Sequence, residues 1–197
     1  MITSACKEHI PQIVKIHCES LPDDFLPRLG SSFLKETLYP AVIKSKQAQL
    51  FIEVDKRMIV SGFAIITLDS GEFFSDVIKS NFWSFAITGI RSSFRSLKQF
   101  RDNMVILISS LFLKESGQSG EIYIIAVDKS KRGKGIGEKL IYTAEKFLFE
   151  NNLPAIKIKT LSSNTNWINH FQKSGWKITH TFSLIGNVYT VLEKKLI

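Results

Sequence analysis

The sequence predicts an α/β protein of α+β type, with a mixed central β-sheet of about six to seven strands flanked by helices. Three observations carry that expectation. Residues 121–195 run strand, loop, helix, strand, helix, strand, strand by their apolar periodicity. Residues 50–68 hold two β-branched, aromatic runs separated by a short polar turn. The chain of 197 residues is 44% hydrophobic and 22% charged with 11 Gly and 5 Pro, a globular composition that excludes disordered, collagen-like and low-complexity chains. This length suits one domain, 1–197, with a helical insertion at 69–119.

Each element follows in order. Over residues 7–19, Ile10, Ile13, Val14 and His17 share one helix face. The segment LPDDFLPRLG breaks that helix, and a second starts near Ser31 with Phe33, Leu34, Thr37 and Leu38 inward and Pro40 ending or kinking it. Leu50–Val54 and Met58–Leu68 form an antiparallel hairpin through Asp55-Lys56. Between 77 and 101 lie Lys79, Arg91, Arg95, Lys98 and Arg101 with no acid, and Phe94, Leu97, Lys98 and Arg101 fall at helical spacing, so one or two amphipathic helices are expected there. Glu121–Val127 is a strand, KSKRGKGIG (129–137) a basic glycine-rich loop, and Glu138–Glu150 a helix with Leu140, Ile141, Ala144, Phe147 and Leu148 inward. Asn151-Asn152 and Pro154 stop it. Ala155–Leu161 alternates as a strand, the next helix ends at Gly175, and strands 176–184 and 187–195 meet in a hairpin near Gly186-Asn187. The strand pair around the 138–150 helix forms a right-handed crossover with parallel strands.

Charge and cysteine usage narrow the chemistry. Twenty-six Lys+Arg against 18 Asp+Glu give a formal +8, which favours an anionic partner: a phosphorylated cofactor, nucleic acid or an acidic membrane. Two cysteines, Cys6 and Cys18, exclude a disulfide scaffold and a four-cysteine zinc site. His9, His17, His170 and His180 form neither H-E-x-x-H nor a finger spacing, so no metal is expected. The first residues lack a basic segment followed by an apolar one, and the longest apolar run, Met104–Leu113, is far shorter than the roughly 20 residues a bilayer span needs, so a cytoplasmic protein is expected.

The loop Arg132-Gly133-Lys134-Gly135-Ile136-Gly137 lies between a strand and a helix. Its glycines let backbone N–H groups converge, the helix adds its positive end, and Lys131, Arg132 and Lys134 add mobile charge, which together make a socket for phosphate or pyrophosphate. Neither G-x-x-x-x-G-K-[ST] nor G-x-G-x-x-G is present, because the third glycine of the latter would be Glu138; the spacing is R-x-x-G-x-G.

This loop and helix resemble the acyl-CoA signature of the GNAT N-acetyltransferase superfamily. Ile59-Val60-Ser61-Gly62-Phe63 is similar to the strand that precedes it in the family, and Asn164, Phe171, Lys173, Gly175 and Trp176 to the family's N-x(6)-Y-x-K-x-G-F element. The resemblance covers 50–68 and 121–195 and leaves out 69–119. It implies the GNAT fold, with the helical insertion between the third and fourth strands, and acetyl-CoA as co-substrate. It places the CoA pyrophosphate on Arg132, Gly133, Lys134, Gly135, Ile136 and Gly137. It also implies a bulged strand that splays from its parallel neighbour, with main-chain groups of Ile125, Ala126 and Val127 along the pantetheine, and Asn164 and Phe171 at the cofactor.

Acyl transfer to an amine needs a base, because a free alkylamine with a pKa of about 10.4 is protonated at neutral pH. Glu121 is the candidate: it opens the strand, by strict alternation shares a face with Tyr123, Ile125 and Val127, and sits at an offset similar to the catalytic glutamate of the family's histone-type branch. The family's usual acid, a tyrosine, is Phe171 here, which donates no proton; His170, Ser174 and Tyr189 are the alternatives. Asn164 also suits a helix N-cap.

The expected acceptor is the primary amine of a small molecule. The stretch L-P-D-D-F-L-P-R-L-G-x-x-F-L-x-x-x-L-Y is similar to family members of bacterial glycan assembly, which implies an amino sugar, free or nucleotide-linked. Asp23, Asp24 and Glu53 are candidates to attract a cation, and Arg28, Lys79, Arg91 and Arg95 to hold an anion. Phe82, Trp83, Phe85, Phe94 and Phe100 read either as lid, oligomer contact or local core, or as a peripheral membrane contact, and a homodimer is allowed. The competing readings are a protein acetyltransferase acting on lysine or an N-terminal amine, and a non-catalytic module that senses acyl-CoA or binds RNA; no nucleic acid is expected, since the strands carry no aromatic-basic RNA-binding pattern.

Overall fold

The computed structural model describes residues 1–22, 25–80, 119–184 and 186–196. Strands β1 (Ile2–Ser4), β2 (Ala48–Val54), β3 (Val60–Thr67), β4 (Ser119–Val127), β5 (Ala155–Leu161), β6 (Lys177–Leu184) and β7 (Asn187–Lys195) form one sheet in the order β1-β2-β3-β4-β5-β7-β6. Each described neighbour pair is antiparallel except β4–β5, which is parallel. The expected mixed sheet and crossover are therefore present. The three-residue β1 went unread in the sequence because so short a strand has no periodicity.

Helices cover both faces. Helix α1 (Ile10–Ser20), α2 (Phe25–Arg28), a continuous helix α3 over 31–44 and α4 (Ser70–Ser80) precede β4 in sequence. Helix α5 (Ile136–Glu150) joins β4 to β5, and α6 (Thr165–Lys173) joins β5 to β6. One face packs Ile13, Leu34, Leu38 and Phe73 against Ile52, Phe63, Ile65, Ile124 and Ala126. The other packs Leu140, Ala144, Leu148, Ile168 and Phe171 against Ala64, Ile66, Ile122, Ile156, Ile158 and Leu192. Burying apolar side chains on both sides of the same strands is what reads as unbroken hydrophobic runs in β3 and β4.

Two local expectations change. Helix α3 does not end at Pro40: a π turn, Leu34–Leu38, precedes the proline, which then occupies the first turn of the next α segment, and the chain stays helical to Lys44. The wider turn absorbs the missing N–H that would otherwise break the ladder. Residues 69–80 of the insertion hold α4, while 81–118, including Phe82, Trp83, Phe85, Arg91, Phe94, Arg95 and Phe100, lies outside the described residues.

Candidate active site

The site is built where β4 and β5 part. Their pairing runs from Ser119↔Ala155 to Ile122↔Ile158 and stops there, while β4 continues to Val127 beside β3 and β5 continues to Leu161 beside β7. A fork therefore opens between the two parallel strands. Its cause lies one residue on: opposite Ile65 and Ile66 of β3 stand Ile124 and Ile122, so Tyr123 is an extra residue, a bulge.

The bulge corrects the face assignment. Gly120 and Ile122 face α5, so Glu121 faces the α1–α3–α4 side. Beyond Tyr123 the parity flips, and Ile124 and Ala126 join Glu121's side while Ile125 and Val127 turn toward α5. Glu121 shares a face with Tyr123, Ile124 and Ala126, not with Ile125 and Val127, because strict alternation does not survive an inserted residue.

The main-chain set is corrected with it. Asp128 N–H donates to the Ser61 carbonyl at 3.0 Å, so the bonded antiparallel pairs are Asp128/Ser61 and, two residues back, Ala126/Phe63. The Ala126 carbonyl lies toward β3, 3.0 Å from where a Cβ on Gly62 would stand. Ala126 thus uses its groups within the sheet, whereas those of Ile125 and Val127 point to the fork. The Val127 carbonyl also accepts from Ser20 Oγ at 3.1 Å and from Arg132 Nε at 3.3 Å, which ties the end of α1 and the loop to the tip of β4.

The loop begins with a tight turn, Lys129–Lys131, capped by the Asp128 carboxylate, which accepts from the Ser130 hydroxyl at 2.7 Å and its N–H at 2.8 Å. Those bonds hold the Asp128 carboxyl below its ordinary range. Gly133 and Gly135 then take φ of 73° and 70°, the left-handed region that side-chain-bearing residues rarely enter. Gly135 caps α5 with no side-chain bond, and the first helical bond runs from Lys139 N–H to the Gly135 carbonyl. The N–H groups of Ile136, Gly137 and Glu138 are left without an intrahelical acceptor, at the positive end of a fifteen-residue helix. Arg132, Gly133 and Lys134 are exposed around them. This is a built anion socket at the mouth of the fork.

Glu121 stands at the fork's closed end. Its side chain is 4% exposed; Oε1 lies 3.5 Å from Lys159 Nζ, and Oε2 is buried with no hydrogen-bond donor among the described residues. A buried carboxylate oxygen left undonated is costly and rare in a purely structural role.

The remaining candidates separate. Phe171 is fully buried against Trp176, Trp167 and His170 at ring separations of 4.8, 5.0 and 6.2 Å, so it packs the core under α6 at the floor of the groove beside α5. Asn164 occupies the N-cap position of α6 without capping it; its amide donates to Thr160 Oγ1 at 3.4 Å, on the fork strand β5. His170 stacks on Trp167 and lies 4.0 Å from Glu138, and the Ser174 hydroxyl donates to the His170 carbonyl, both in the groove beside α5. Tyr189, opposite Leu161, is the hydroxyl of the three on the face that carries Glu121 and Lys159. Glu53, expected to attract a cationic acceptor, is paired with the Met1 amino group at 3.2 Å. Lys79 is exposed on α4, and Asp23, Asp24 and the Arg28 side chain lie outside the described residues.

Sequence reasoning missed Lys159 and Ser20. Neither sits in a motif; only strand register brings Lys159 to Glu121, and only helix packing brings Ser20 to β4.

Residues 92–176 match the family model for the GNAT acetyltransferase family. That matched segment takes in β4, the glycine turn, α5, β5 and α6. A mycothiol acetyltransferase of Corynebacterium jeikeium (strain K411) is 26% identical to this chain over 69 residues, which are 34% of this chain and 20% of that protein. An N-acetyltransferase from Staphylococcus aureus Mu50 superposes on 100% of this chain and 98% of its own with a TM-score of 0.66 at 17% identity. A Bacillus anthracis str. Ames structure, solved in complex with acetyl coenzyme A, matches 83% of this chain and 70% of its own with a TM-score of 0.52 at 17% identity. At these identities the structural likeness is one of fold. Among the described residues no helix is long and apolar enough to cross a membrane, and no three His, Cys, Asp or Glu side chains converge as metal ligands.

Proposed function

We propose that this GNAT domain transfers an acetyl group from acetyl-CoA to the primary amine of a small molecule by direct attack in a ternary complex. The observation that carries the reading is the fork between β4 and β5 opening onto the glycine turn at the start of α5. The CoA diphosphate belongs on the amides of Gly133–Gly137 with Arg132 and Lys134 beside it, and the pantetheine along Ile125 and Val127. The Val127 and Ile125 main chain supplies dipoles at the thioester carbonyl, where negative charge develops.

In the chemical step the amine nitrogen forms a C–N bond to the acetyl carbon, the C–S bond breaks, and CoA leaves as thiolate. Glu121 takes the proton that made the acceptor an ammonium and passes it to solvent; the thiolate then takes the proton released by the acylated nitrogen. A thiolate whose conjugate acid has a pKa of roughly 8.5 leaves readily, so the phenylalanine at position 171 does not bar turnover. The finer acceptor reading is an amino sugar, free or nucleotide-linked, supported by the sequence likeness of residues 21–39.

Incubation with acetyl-CoA and separate pools of amino sugars, polyamines and peptides, read by free-thiol release, tests the proposal. Turnover with the amino-sugar pool is expected. Turnover with peptides alone makes the chain a protein acetyltransferase, and coenzyme binding without turnover in any pool makes it a sensor.

A further inference from the structure

We propose that Lys159 is a positioning residue for acetyl transfer, its ammonium holding one oxygen of Glu121 so that the carboxylate keeps a fixed orientation and its second oxygen keeps its lone pairs for the acceptor's proton. The inference rests on the reading of Glu121 as base.

The strand register creates the arrangement. Glu121 is in register with Lys157, and the β4–β5 ladder ends one residue later at Ile122 and Ile158. Lys159 is the first residue of β5 past that point and lies on the same face as Glu121. From there its chain reaches back to Oε1 at 3.5 Å, with 27% of the lysine side chain exposed against 4% of the glutamate's. The contact therefore bridges the crotch of the fork, joining the strand that lines the coenzyme to the strand that lines the other wall.

Lys159 stands beside the buried Oε1, and among the described residues Oε2 has no hydrogen-bond donor. Fixing Oε1 restricts rotation of the carboxylate and leaves Oε2 as its open acceptor. On this face Lys157 is buried in register with Glu121, and Glu193 of β7, opposite Lys157, accepts from the Ser119 hydroxyl at 3.1 Å through Oε2, with Lys177 and Lys195 farther along the same face. Thr67 of β3, opposite Glu121, and Phe73 of α4, packed on Tyr123, carry no charge. With Lys157 next in register, the site holds two ammonium groups around one catalytic carboxylate. Loss of Lys159 leaves Oε1 buried without the ammonium that holds it.

The test is the pH profile of kcat/KM, read by free-thiol release with the amine pool that the wild type turns over, for the wild type, Lys159→Met, Lys159→Arg and Glu121→Gln. Lys159→Met is expected to move the acidic limb up by about one pH unit and to lower kcat about tenfold at pH 6, with KM for acetyl-CoA unchanged. Lys159→Arg is expected to restore the wild-type limb. Should Lys159→Met fold poorly by thermal melting, Lys159→Gln is expected to give the same shift. If Glu121→Gln abolishes the acidic limb while neutral Lys159 variants keep it in place, Lys159 is only structural and this inference falls. If Glu121→Gln itself keeps the wild-type profile, the base assignment fails first.

Discussion

Gly135 holds a left-handed backbone at the cap of α5, and a Cβ added there would find the Glu138 carboxylate at 3.8 Å and otherwise open space. The position is constrained by backbone conformation and by what approaches it rather than by crowding. Gly135→Glu is expected to weaken coenzyme A binding at least a hundredfold by calorimetry, since it strains the turn and places a negative charge in the anion socket; unchanged affinity in a folded variant would contradict the socket. This turn was legible in the sequence because its requirements are local: R-x-x-G-x-G between a strand and a helix states its own geometry. Phe171 was not legible in the same way. Its spacing to Asn164 is that of a cofactor contact, but its burial among Trp167, His170 and Trp176 depends on how α6 lies on the sheet.

Among the elements, β4 determines the site, and it does so through two irregular features. The bulge at Tyr123 turns the later side chains over and releases β4 from β5; the close packing of β3 under α5 then fixes where the helix start meets the fork. Gly62 is where β3 passes close under the start of α5: a Cβ would lie 3.0 Å from both the Ala126 carbonyl and Ile136 Cγ2. Because one of those atoms is main chain, the neighbours cannot yield cheaply, and Gly62→Val is expected to cost about 2–3 kcal/mol in chemical denaturation and to weaken coenzyme binding by displacing α5. Loss of stability without loss of binding would separate the helix start from the socket. The strands, their order in sequence and the parallel crossover were readable from alternation and from the 138–150 amphipathic pattern. The bulge was not, because an extra residue in a strand apolar on both faces leaves the same pattern either way.

At the scale of the molecule, the sheet divides the core in two, and the buried polar group His17 sits on the acceptor-side half. Its Nδ1 meets the Tyr39 hydroxyl at 2.8 Å, its Nε2 has no partner among the described residues, and burial pulls the imidazole down from 6.5 to about 4. The unfolded chain therefore takes up the proton first. Stability from this group is intact above pH 6.5 and is lost as the pH falls toward 4, by roughly 3 kcal/mol in all. His17→Gln, which does not titrate, is expected to flatten the part of the stability–pH curve between pH 6.5 and 4 that the wild type loses; parallel curves would show that His17 does not carry it.

The most direct measurement is a crystal structure of the protein with acetyl-CoA at saturating concentration. The diphosphate is expected on the amides from Gly133 to Gly137 and the thioester between β4 and β5 beside Ile125 and Val127, on the side of Glu121. A coenzyme bound elsewhere, or a glycine turn left without ligand, would contradict it.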